Sequence, residues 1–137
     1  MQTDMFRESF AYGKQIIYGR IPSKSNGYKI ITIKSKKNPG KVHTSLGKTA
    51  QLKKYEKDFA LQVGIYRNRN FGEFEVYVDV YFDSMRRDLD GIFKIFLDCL
   101  QSVKAIQNDN KCMGIVARKR IDRNNPRIEF EIKPYTP

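Results

Sequence analysis

Phe74, Val76, Val78, Val80 and Phe82 alternate without interruption against Glu75, Tyr77, Asp79, Tyr81 and Asp83, a period of two that predicts a β-strand with one buried face. A second alternation sets Ile128, Phe130 and Ile132 against Glu129 and Glu131 and predicts a strand over Arg127–Lys133. Lys111–Ile121 reads as the strand before it, and the turn-forming Asn124-Asn125-Pro126 between the two predicts an antiparallel hairpin. Near the start of the chain, Lys14–Ile21 and Gly27–Ile33 are short runs rich in Ile and Tyr. Pro22-Ser23-Lys24-Ser25-Asn26-Gly27 joins them, so a hairpin or edge pair is expected there too.

Two segments carry the other period. Leu52, Tyr55, Phe59, Val63 and Tyr66 are spaced by 3, 4, 4 and 3 positions, which predicts an amphipathic helix running from about Leu46 to Val63. A second helix starts near Asp88 and turns Ile92, Phe93, Phe96, Leu97, Leu100 and Val103 toward a core, leaving a polar face. Between the strands and the first helix, Ser35–Thr44 contains Asn38-Pro39-Gly40 among lysines and reads as a basic loop. The expected fold is α+β: a single domain with one mixed, mostly antiparallel sheet and two helices packed on it. The length of 137 residues suits one domain over the whole chain, with residues 1–13 as an N-terminal extension.

Charge adds a direction to this plan. The formal net charge is +11, and residues 9 to 55 contain no Asp or Glu but eleven Lys and Arg. Those eleven equal the excess, because the remaining 26 − 11 = 15 basic residues match the 15 acidic ones. Selection against negative charge over so long a stretch points to a polyanion, nucleic acid first. A solvated lysine face is the plain alternative, and an anionic membrane surface fits less well because the segment lacks a long basic amphipathic helix.

No stretch approaches the roughly 20 apolar residues of a membrane span. Met1–Tyr12, with Asp4, Arg7 and Glu8, has neither a signal-peptide apolar region nor the composition of a transit peptide. A cytoplasmic protein is therefore expected. Cys99 and Cys112 are the two cysteines and have no His beside them, which excludes a four-ligand zinc site of the usual spacing. Cys99 shares a helical face with Phe96 and Val103, so its expected role is packing. His43, alone in the basic loop, is read as surface, which disfavours a histidine-based nuclease.

Candidate chemistry gathers around the second helix. Asp88 stands where the chain enters that helix and Asp90 lies in its first turn, where free backbone N–H groups and the macrodipole favour carboxylates. Asp90, Lys94 and Asp98 recur every four residues on one stripe, which an ordinary ladder of ion pairs would also explain. Asp109 follows in the polar run Gln107-Asn108-Asp109-Asn110, and can return toward the first acids only if the chain folds back. Three close carboxylates repel unless a cation joins them, and a hard ion such as Mg²⁺ suits them.

Arg86-Arg87-Asp88-Leu89-Asp90, with Lys94 and Asp109 at four and nineteen residues beyond Asp90, resembles the motif of the RusA family of Holliday junction resolvases. The resemblance extends over about residues 15 to 134, and Pro22-Ser23-Lys24-Ser25-Asn26 loosely resembles the family's early Pro-Ser-x-Asn element. Gly91 replaces the family's usual Asn, and Asn108 stands where a second Asp commonly precedes the catalytic one.

The resemblance implies a RusA-like fold and an endodeoxyribonuclease that resolves four-way DNA junctions in recombination and repair. Asp88, Asp90 and Asp109 would hold Mg²⁺, with Mn²⁺ the substitute, and Lys94 would serve the phosphate or the leaving oxygen. Asp98 would support them. Lys24, Lys34, Lys36, Lys37, Arg86 and Arg87 would contact DNA. The resemblance further implies a homodimer, one site for each cut strand, no organic cofactor, and a bacterial or phage-infected cell as the setting. A non-catalytic nucleic-acid-binding protein and a nuclease for other branched DNA are the alternatives.

Overall fold

The computed structural model describes residues 12–137, so the expected N-terminal extension lies, for residues 1–11, outside the described residues. The strongest sequence pattern forms the centre of the molecule. Strand β4 (Phe74–Phe82) buries every second residue from Phe74 to Phe82, and it is paired on both sides in a four-stranded sheet whose order is β1 (Gln15–Tyr18), β6 (Arg127–Pro134), β4 and β5 (Cys112–Ile121). Strand β6 (Arg127–Pro134) runs antiparallel to it, with Val78 opposite Phe130. Strand β5 (Cys112–Ile121) runs parallel to it, with Val78 opposite Ala117. Strand β1 (Gln15–Tyr18) closes the far edge against β6, with Ile17 opposite Ile128. The fold is α+β, and its main sheet is mixed and mostly antiparallel, as expected.

Both expected hairpins are corrected by this order. β5 and β6 do not pair with each other, because β4 lies between them. The turn at Asn124-Asn125-Pro126 does reverse the chain. It crosses over the end of β4, where the Asp122 amide donates to the Phe82 carbonyl at 2.8 Å. β1 does not pair with the strand that follows it, since β6 offers it an apolar row that continues the core.

Pro22 to Gly27 is not a simple turn. Ser23 caps a short helix, α1 (Lys24–Gly27), by accepting from the Asn26 amide at 3.3 Å. Strand β2 (Tyr28–Lys34) follows, and pairs antiparallel with β3 (Val42–Lys48) in a separate two-stranded sheet. The segment expected to be a loop through Thr44 and a helix from Leu46 is therefore largely strand. Val42, Thr44 and Leu46 alternate along it, and Leu46 lies opposite Ile30 with both side chains exposed. The helix α2 (Ala50–Gln62) starts later because Thr49 caps it, its hydroxyl accepting from the Leu52 amide at 3.2 Å.

Helix α3 (Phe93–Ser102) follows a single 3-10 turn at Asp90–Ile92. A parallel pair of strands needs a crossover, and α3 supplies it between β4 and β5. Helices α2 and α3 cover one face of the sheet, where Phe130 stacks with Phe59 at 6.2 Å and meets the edge of Phe96 at 5.1 Å between ring centres. Burying each such ring contributes about 1.5–3 kcal/mol before ordering costs. Among the described residues no helix is long and apolar enough to cross a membrane.

Candidate active site

After β4 ends, the chain from Asp83 to Leu89 is held from several sides. The Arg87 guanidinium donates to the Ile21 carbonyl and lies 5.1 Å from the centre of the Phe82 ring. Lys119, whose ammonium is 5.7 Å from the same ring, donates to the Met85 carbonyl at 2.9 Å and to the Arg87 carbonyl. Arg20 pairs with Asp83 at 3.4 Å. Burial, reinforced by Arg20, lowers the Arg87 pKa from its ordinary value.

This loop carries Asp88 and Asp90 outward, both exposed. Neither caps a helix: Leu89 stands at the cap of the 3-10 turn and Ile92 at the cap of α3, with no side-chain cap bond at either. The simple capping account of the pair therefore falls away. Both carboxylates lack a hydrogen bond or ion pair among the described residues. They line a groove of about 640 Å³ together with Ser23, Lys24, Ser25, Asn26, Tyr28, Leu46, Arg86, Arg87 and Gly91.

Gly91 has a local reason. A Cβ there would stand 3.3 Å from the Cβ of Ser23, so the glycine lets the loop before α1 close over the acid loop. Gly27 has a stronger one, since a Cβ would lie 2.8 Å from Cδ1 of Ile95 and 3.3 Å from Cδ2 of Leu52. The missing side chain brings the end of α1 down onto α2 and α3, and so seats Tyr28 beside α3.

Lys94 and Asp98 form an ion pair at 3.2 Å one turn apart on α3. The Tyr28 hydroxyl donates to the same Asp98 oxygen at 3.2 Å, and the Lys94 ammonium lies 5.9 Å from the Tyr28 ring centre. Burial, followed by the charge of Asp98 and the hydrogen bond to it, pushes the Tyr28 pKa up to about 12. The hydroxyl thus stays a donor throughout the neutral range.

Asp109 is elsewhere. It opens the 3-10 turn Asp109–Lys111, and its amide donates to Oε1 of Gln101 near the end of α3 at 3.0 Å. Ten residues of helix rise roughly 15 Å at 1.5 Å each, and the Asp88–Asp90 pair stands at the opposite end. Its loop is tied down by Asn108 accepting from the Asn110 amide at 3.1 Å and by Gln107 donating to the Phe71 carbonyl at 2.9 Å. Among the described residues no three Asp, Glu, His or Cys side chains stand close enough to hold a metal ion.

The remaining candidates are spread over α1, the acid loop and the β2–β3 hairpin. Lys24 and Arg86 are exposed at the groove. Lys34 ends β2, and Lys36 and Lys37 are exposed in the connection to β3. The Ser35 amide donating to the Lys41 carbonyl at 2.9 Å closes that connection. Cys99 is buried, and burial pushes its pKa up to about 12, which suits packing rather than nucleophilic work.

Sequence reasoning missed two residues of the site. Lys119 sits on the core-facing side of β5, opposite Val80, and a lysine at an inward position of an alternating strand was the available signal. Tyr28 gave none, because only the fold places it across from Asp98.

A protein-family model described as endodeoxyribonuclease RusA matches residues 27–133. No curated protein matches the chain. The matched span begins at Gly27 and includes the groove acids, Lys94 and Asp109.

Proposed function

The chain belongs to the RusA family of endodeoxyribonucleases, and from that premise we propose that Asp88 and Asp90 form the metal-holding part of its active site, with Mg²⁺ as the ion. The protein is an endonuclease that resolves Holliday junctions, its substrate is branched DNA, and its family depends on divalent metal. The observation that carries the site assignment is the pair of exposed carboxylates that line one groove and have no partner among the described residues. Two carboxylate oxygen donors suit Mg²⁺, which keeps several waters and is commonly bound through one or two carboxylates plus substrate phosphate.

When bound there, Mg²⁺ would offset the charge that builds on the scissile phosphate and orient the attacking water. The protein's residues supply the rest. Lys94 presents an ammonium to the phosphate or leaving oxygen, Arg86 and Lys24 hold the flanking phosphates at the groove, and Arg87 and Lys119 keep the acid loop in place. Lys34, Lys36 and Lys37 on the β2–β3 arm bind a junction arm through its backbone, which confers affinity with little base readout.

Asp109 enters this scheme through a second copy. A four-way junction needs two cuts, and a two-fold dimer places two sites in matching relation to its arms. Within one chain, Asp109 is exposed, lacks a side-chain partner among the described residues, and sits in a tied-down loop at the far end of α3. Supply of Asp109 by the partner subunit reaches the three-acid set without melting that loop. Recombination and repair in the cytoplasm of a bacterial or phage-infected cell are the processes this activity serves.

The decisive experiment is nicking of a synthetic four-way junction with and without Mg²⁺, using Asp90→Asn as the control. Cleavage that needs Mg²⁺ and Asp90 is the expected result. Cleavage by Asp90→Asn at the wild-type rate would remove the groove from the mechanism. Forks, flaps and linear duplex in the same assay separate a junction resolvase from a broader branched-DNA nuclease.

A further inference from the structure

An ion pair between exposed residues one helical turn apart contributes too little to keep a four-carbon side chain in one place. Lys94 and Asp98 form such a pair, with side chains 49% and 32% exposed. Tyr28 changes the geometry from outside the helix. Its hydroxyl donates to the same Oδ2 of Asp98 that accepts from Lys94, and its ring faces the ammonium at 5.9 Å. Three groups from two elements therefore converge on one point, and one of them, Tyr28, lines the groove with Asp88 and Asp90.

We propose that Tyr28 is a positioning residue for Lys94: through Asp98 and through its ring, it holds the ammonium at the groove where the scissile phosphate arrives. The inference rests on the reading of Lys94 as the phosphate partner. Gly27 makes it possible, because the close approach of α1 to Ile95 and Leu52 sets the first residue of β2 against α3. A bond to a charged acceptor is among the stronger side-chain hydrogen bonds, so the hydroxyl orients Asp98 and Asp98 orients Lys94. When phosphate enters, Lys94 exchanges one anionic oxygen for another over a short path, while Tyr28 keeps Asp98 from following.

Tyr28→Phe keeps the ring and removes the anchor. In single-turnover cleavage of a synthetic four-way junction with Mg²⁺, this variant is expected to lose about tenfold in rate, while its affinity for the junction stays within about twofold. Asp98→Asn should show the same split, and the double variant should be no slower than Asp98→Asn, because the two act as one unit. Should Tyr28→Phe fail to fold, Tyr28→His, which keeps a ring but shortens the donor's reach to Asp98, gives the second test, with the same loss of rate at unchanged affinity expected.

Wild-type rates for Tyr28→Phe, or a loss of affinity equal to its loss of rate, overturn the proposal. Fully additive effects of Tyr28→Phe and Asp98→Asn do so as well. Lys94→Ala distinguishes the underlying reading: if it cuts like wild type, Lys94 has no part in the chemistry. If Lys94→Ala is inactive and Tyr28→Phe is normal, only the positioning role fails.

Discussion

Asp90 and Lys94 are one helical turn apart, yet they have different surroundings: the acid at the groove has no partner among the described residues, and the amine is held by Asp98 and Tyr28. Asp90→Asn removes charge without changing shape, so cleavage should fall at least about a hundredfold, the scale seen when an electrostatic stabiliser is lost. Junction affinity should change little in a gel-shift titration without metal. Alkaline stability is a second residue-scale test. Burial raises Cys99 from 9.0 and Tyr28 from 10.0, each to about 12, and raises Tyr55 well above 10.0. Above pH 9 the unfolded chain therefore releases protons that the folded chain keeps, and stability falls as pH rises. Thermal melts from pH 8 to 12 should show a decline beginning near pH 9 for Cys99 and steepening above 10, with each group costing at most about 1.4 kcal/mol per pH unit. Cys99→Ala should shrink the first part of the decline, leaving the share of Cys112, whose thiol burial also raises, and an unchanged profile would count against Cys99 as its source. The Asp and Lys identities and spacings were legible in the sequence; Tyr28 was not, since its partner Asp98 is 70 positions away.

At the scale of elements, the β2–β3 arm is where the acid-free stretch became structure. Lys29, Lys34, Lys36, Lys37 and Lys41 lie along a two-stranded hairpin with no acid on it, and only Lys48 at its base is compensated among the described residues, by Glu56 at 2.8 Å, so the outer part of the arm turns its charge to an approaching polyanion. Replacing Lys34, Lys36 and Lys37 by Ala should lower the slope of log affinity against log salt by about 0.9 per lost duplex phosphate contact. An unchanged slope in a salt titration means these lysines do not touch DNA. The root of the arm depends on Gly27. Gly27→Ala forces a methyl group against Ile95 and Leu52, and should destabilise the fold by about 1–3 kcal/mol, the usual cost of overpacking, measured by urea unfolding. The sequence showed the arm's charge and hid its form, because Val42, Thr44 and Leu46 alternate among lysines next to a helical pattern whose start only the Thr49 cap decides.

For the whole molecule, the path of β4, α3 and β5 matters most. A parallel pair places the start of β5 beside the start of β4, so the acids after β4 and the acid before β5 fall at opposite ends of the crossover helix. Mixed dimers test the consequence. Combining Asp90→Asn chains with Asp109→Asn chains leaves one intact site per mixed dimer if Asp109 acts across the interface, and none if it acts within its own chain. Recovered nicking of one strand is the expected outcome, and dead mixtures would place Asp109 in its own subunit or outside the chemistry. Because β4 is central, the polarity of its two neighbours sets this arrangement. Neither neighbour's direction is written in the alternation of Ile128, Phe130 and Ile132.

By itself, the sequence determined the α+β class, the strand at Phe74–Phe82, both long helices, the basic stretch and the acid spacing. These are local properties, set by periods of two and 3.6 and by the charge of each side chain. Only the tertiary structure decided that β4 separates β5 from β6, that the lysine-rich segment is an arm, that Lys119 and Arg87 brace the acid loop, and that Tyr28 meets Asp98. Each of those depends on which distant apolar rows bury one another, and burial is settled by the whole chain at once.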